Sequence, residues 1–69
     1  MTNIYYNLEY LDGSKWVKSK NYQNTFYNES EAINIKNVAT NDAQYDFKHG
    51  NTDYLVEYRI VKHETTVIG

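Results

Sequence analysis

Hydrophobic and polar side chains alternate with a period of two from Ile4 to Leu11. Ile4, Tyr6, Leu8 and Tyr10 fall on one side, Tyr5, Asn7, Glu9 and Leu11 on the other. That is the signature of a half-buried strand. Asp12-Gly13-Ser14 follows, and an Asp-Gly pair between two such runs favours a tight hairpin, because glycine accepts the positive φ of primed turns. The chain then returns antiparallel through Lys15–Ser19. Which of Trp16 and Val17 faces the core depends on turn length, since a one-residue slip exchanges them.

Lys20–Thr25 is polar and reads as a loop carrying Tyr22 as a candidate exposed aromatic. Asn28-Glu29-Ser30-Glu31 fits a helix N-cap with Glu31 at the third position, and Tyr27 stands where a hydrophobic staple would meet Ala32. A helix is predicted from about Glu29 to Thr40. Its apolar residues Ala32, Ile35, Val38 and Ala39 share one side, Ile33 lies at the margin, and Asn34 and Asn37 point away. Asn41-Asp42 is read as its end, with a short strand over Ala43–Lys48. His49–Asp53 is a turn by composition, and Tyr54–His63 alternates again. Tyr54, Val56, Tyr58 and Ile60 form one face of that run, and Leu55, Glu57, Arg59, Val61 and His63 the other. Thr65–Ile68 extends this strand, forms a short edge or frays.

The expected fold is a single α+β domain over residues 1–69: a small four-stranded, mainly antiparallel sheet in ββαββ order with one helix packed on one face. A single helix covers one face only. The other face, where Tyr5, Leu11, Leu55 and Val61 mingle with Asn7, Glu9, Glu57, Arg59 and His63, is the leading candidate site. The candidate binding residues are Tyr5, Asn7, Trp16, Tyr22, Leu55, Glu57, Arg59 and Val61.

Composition narrows the function classes. The 69 residues contain no cysteine and no proline and carry a formal charge of −2. A chain this short buries only about 60% of its unfolded surface, so packing alone must hold it, and a homo-oligomer would add burial. Seven basic against nine acidic residues give no basic field for phosphate, which argues against nucleic acid. Without cysteine there is no disulfide framework, thiolate metal site or cysteine nucleophile. The first residues lack the basic start and apolar run of a signal peptide, and no stretch reaches the roughly 20 apolar residues that span a bilayer. The chain reads as an unprocessed cytoplasmic protein with no membrane partner.

Candidate chemistry is sparse. Asp42, Asp46, His49 and Asp53 are spaced as one helical face that would hold a divalent cation, but Gly50 and Asn51 interrupt such a face, and aspartates beside turns hydrogen-bond their own backbone. Ser14, Ser19 and Ser30 fall in a turn, a strand end and a helix start, where serine serves local structure. Asn28-Glu29-Ser30 matches a glycosylation acceptor, but capping accounts for it and no secretion signal supports the other use. A non-enzymatic protein without cofactor is expected. Eight tyrosines and a tryptophan exceed what a small core needs and offer contact area at low entropic cost.

The opening strand with its Asp12-Gly13 turn and Trp16-Val17 return, the helix start Phe26-Tyr27-Asn28-Glu29-Ser30-Glu31-Ala32, and the closing Tyr58-Arg59-Ile60-Val61-Lys62 together resemble the layout of small accessory proteins encoded by bacteriophages. Asn, Lys, Ile, Tyr and Phe make up 30 of the 69 residues, which suits a low-GC genome. The resemblance implies a counter-defence protein, similar to anti-CRISPR proteins, that binds and inhibits a host protein or complex in the host cytoplasm. Two other outcomes stand beside it: an oligomeric small-molecule or nucleotide sponge, and a structural assembly subunit.

Overall fold

The computed structural model describes residues 2–68. β1 (Thr2–Asp12) is the central strand, and every other strand pairs with it: β2 (Lys15–Lys18), β3 (Thr25–Phe26) and β4 (Tyr58–Thr66). All three pairings are antiparallel. α1 (Glu29–Lys48) lies across one face. The four-stranded sheet with one helix is therefore as the sequence implies, but the element order is βββαβ and not ββαββ.

Gly13 adopts φ 63 and is the first of two residues between the paired Asp12 and Lys15, while Ser14 keeps a negative φ. Those are the φ signs of a II′ hairpin turn. The two-residue loop fixes the register that sequence left open: Trp16 opposes Leu11 on the bare face and Val17 opposes Tyr10 on the helix face.

β2 and β3 occupy the same edge of β1, end to end. Ser19 N–H donates to Leu8 O at 2.9 Å, and Leu8 N–H donates to Asn24 O at 3.0 Å, so residues 20–23 are looped out of what is otherwise one edge strand. Asn24 Nδ2 closes the neck of this loop on Ser19 O at 2.6 Å, and Asn7 Nδ2 donates to Asn24 O at 3.0 Å and to Thr25 Oγ1 at 3.1 Å. Asn7 and Ser19 are accordingly buried at 2% exposure. Their polar groups are satisfied, which is the condition for burying them without a large penalty.

α1 begins as its capping residues require. The Asn28 side chain accepts from Ser30 N–H at 2.8 Å and Glu31 N–H at 3.3 Å. Tyr27 is 81% exposed and does not staple onto buried Ala32. The expected helix end at Asn41-Asp42 and the strand over Ala43–Lys48 are corrected, since the helix continues through both. Nothing in Asn41-Asp42 breaks a helix, and Ala43 prolongs the period that buries Ala32 and Ala39. The alternation of Tyr45 and Phe47 is incidental: both are exposed on the helix surface. Termination comes where glycine allows it. Gly50 has φ 74, Asn51 N–H donates to Asp46 O at 2.8 Å and Gly50 N–H to Phe47 O at 3.2 Å, the paired bonds of a Schellman cap.

The core is one layer of side chains between α1 and the sheet: Tyr6, Leu8, Phe26, Ala32 and Ala39, with Tyr22, Ile35, Tyr58 and Ile60 packed around it. Val38, expected in the contact stripe, is instead 48% exposed, because alanines at 32, 39 and 43 centre the buried side elsewhere. The closing strand starts at Tyr58 rather than Tyr54, and Thr65 and Thr66 extend it. No helix among the described residues is long and apolar enough to cross a membrane.

Candidate functional site

The face of the sheet opposite α1 is uncovered, and the register of β1 with β4 determines what it displays. Glu9 opposes Arg59, Asn7 opposes Val61, and Tyr5 opposes His63, all on the bare side. Directly opposed residues on one face of an antiparallel pair are in reach of each other. Arg59 uses this placement fully: its Nε donates to Glu9 Oε1 at 2.8 Å, a second guanidinium nitrogen lies 2.7 Å from the same oxygen, and its Cζ stands 4.4 Å over the Trp16 ring.

Arg59 thus bridges the sheet from β4 across β1 to β2. Its side chain remains 46% exposed while that of Glu9 is 16% exposed, so the carboxylate acts as the buried anchor and the guanidinium as the outer surface. A guanidinium held over an indole and bonded to a carboxylate is a preorganised donor, because its rotamers are already restricted. Further along the same face the Tyr5 and His63 rings stack at 4.6 Å with 12° between their planes. His63 Nε2 is buried without a hydrogen-bond partner among the described residues.

Of the residues expected to form the site, the structure brings Tyr5, Trp16, Arg59 and Val61 together on this face. Asn7 belongs to the face by parity, but its amide is committed to the loop neck beneath, so it is a structural residue. Leu55 and Glu57 precede β4 and line, with Leu11, Asp12, Gly13 and Tyr54, a shallow hollow of about 360 Å³ at the hairpin end. Tyr22, read as an exposed loop aromatic, is instead partly buried: the looped-out segment packs it against the core on the helix side. There its hydroxyl donates to Asp42 Oδ2 at 2.7 Å and its ring meets Tyr58 edge-on at 6.2 Å.

Glu9 and His63, expected on this face but not among the candidate binding residues, complete it. Alternation places both on the face, but their partners, Arg59 and Tyr5, follow from the strand register, which alternation alone does not fix. On the opposite side, the hydrogen bond to Asp42, followed by burial, pushes the Tyr22 hydroxyl up to about 12. Burial raises Tyr58 as well.

Asp42 and Asp46 lie on α1, where Asp42 receives Tyr22 and Asp46 Oδ1 accepts from Asn51 Nδ2 at 3.4 Å. Among the described residues no group of three or more His, Asp or Glu side chains is arranged to hold a metal ion. Comparison with protein-family models, with curated proteins and with solved structures gives no match.

Proposed function

We propose that this chain is a non-catalytic binding protein that docks a protein partner on the bare face of its sheet. The observation that carries the reading is the Trp16–Arg59–Glu9 assembly, already formed on the surface that α1 leaves uncovered. Tryptophan, tyrosine and arginine are the residue types that dominate binding energy at protein interfaces, and a preorganised cluster loses little side-chain freedom on docking. The partner that suits it presents an apolar spot for Trp16, Tyr5 and Val61 and a carboxylate within reach of Arg59. A host protein inhibited by a phage-encoded accessory protein is the biological setting we propose, on the layout resemblance alone.

The test is tagged capture from a bacterial lysate, comparing wild type with the Tyr5→Ala, Arg59→Ala double variant. A stoichiometric protein held by wild type and lost by the folded double variant supports the reading. Equal capture by both removes the bare face from it. A second reading, a nucleotide sponge, draws on a hollow of about 230 Å³ lined by Tyr10, Tyr54, Tyr58, Ser19, Lys20 and Asn21. Tyrosine rings there could stack on a nucleobase. Copurification of a nucleotide without a protein would favour it.

A further inference from the structure

β4 is paired along its whole length with β1, and among the described residues no strand pairs with its other edge. Nine residues of open strand edge are a template for another strand, and proteins that stay monomeric usually blunt such an edge with proline, a bulge or charged side chains; in β4 the charges of Lys62 and Glu64 are paired with each other. β4 contains no proline. Beside the edge, Ile33 and Lys36 of α1 and Tyr58, Ile60 and Lys62 of β4 line an open groove of about 490 Å³, and Ile33 is 44% exposed.

We infer that β4 pairs antiparallel with β4 of a second copy, giving a two-fold dimer with one continuous sheet and both helices on the same side. With the two-fold perpendicular to the sheet, opposed residues must share a face, so the two copies can slip only in steps of two. The register that places His63 opposite itself sets Lys62 against Glu64 of the second copy, and Glu64 against its Lys62. It also places Ile60 against Thr66 and Val61 against Thr65. Lys62 and Glu64 are already an ion pair within the chain at 2.9 Å, with side chains 52% and 55% exposed, so dimerisation would join two pairs into a network of four alternating charges. The neighbouring registers on either side bring Lys62 against Lys62 or Glu64 against Glu64. Like charges directly opposed are unfavourable, so the charge pattern selects one register and penalises both slips.

The single chain is more extended than a compact monomer, so it has surface to lose on association. Its accessible area is 5276 Å², whereas a compact monomer of this mass exposes about 4,500 Å². The shape agrees: the radius of gyration is 14.2 Å, against about 11 Å for a compact domain of this length. The dimer stands independently of the proposed docking face, which it leaves open on the side away from both helices.

Sedimentation equilibrium of the whole chain tests it. The expected species has twice the 8.2 kDa chain mass. Glu64→Lys and, separately, Lys62→Glu place like charges opposite each other and should each weaken association about tenfold or more. The charge-swapped double variant Lys62→Glu, Glu64→Lys restores complementarity in this register and should restore the dimer. Circular dichroism of each variant should match wild type, because both side chains are half exposed. A wild-type monomer throughout the micromolar range overturns the proposal. So does a dimer indifferent to the single changes, or a double variant that stays dissociated while folded.

Discussion

Leu8 and Ile35 approach the same core from opposite layers, and the structure separates what each contributes. Leu8 is fully buried, whereas Ile35 is only partly covered. Leu8→Ala should lower stability by about 3–5 kcal/mol, and Ile35→Ala by about 2 kcal/mol, near the bottom of the range for buried aliphatic truncations. Urea unfolding of both variants gives the comparison, and equal losses would contradict the placement of α1. Tyr22 offers a test that depends on pH. Its hydroxyl is raised from 10.0 to about 12 in the folded chain. The contribution of the Tyr22–Asp42 bond is therefore complete below pH 10 and disappears as pH rises through about 12. Tyr22→Phe should cost about 1 kcal/mol at pH 8, and the gap between it and wild type should narrow above pH 10. A gap that stays constant to pH 12 would mean that the hydroxyl does not donate to Asp42.

Each element is held by a local device whose removal has a definite cost. The Schellman cap at Gly50 needs φ 74, and a Cβ there meets no neighbouring atom, so strain rather than a clash sets the penalty. Gly50→Ala should destabilise by about 1–2 kcal/mol in thermal or urea melts. A neutral result would show that the helix does not end in the left-handed conformation. Those same devices explain what was legible beforehand. Asn28 and Gly13 act through residues adjacent in sequence, so the helix start and the hairpin were readable. The end of α1 was not, because Tyr45 and Phe47 imitate a strand while the deciding residues, Ala43 and Gly50, lie on either side of them. β3 was hidden for a different reason. Two residues of strand have no periodicity, and Thr25 and Phe26 pair only because the loop neck returns the chain to the edge of β1.

At the scale of the molecule, the fold is a slab of 53 × 25 × 13 Å built around one strand. Its candidate site depends on that plan, since Trp16, Glu9 and Arg59 come from β2, β1 and β4 and meet only after three strands align. Sequence could name the face but not the contacts, because register is a property of the assembled sheet. The central position of β1 also has a kinetic meaning. Its partner along one edge is the last element of the chain, with Thr2 opposite Thr66 and Tyr10 opposite Tyr58. The hairpin and the helix can form within microseconds, yet neither encloses Leu8 until β4 arrives from about fifty residues away. Closing that long loop is the largest entropic step that the topology requires. Substitutions in the hairpin turn and helix cap, whose contacts are formed before that loop closes, should therefore slow refolding more than they hasten unfolding, which stopped-flow refolding and unfolding rates would show.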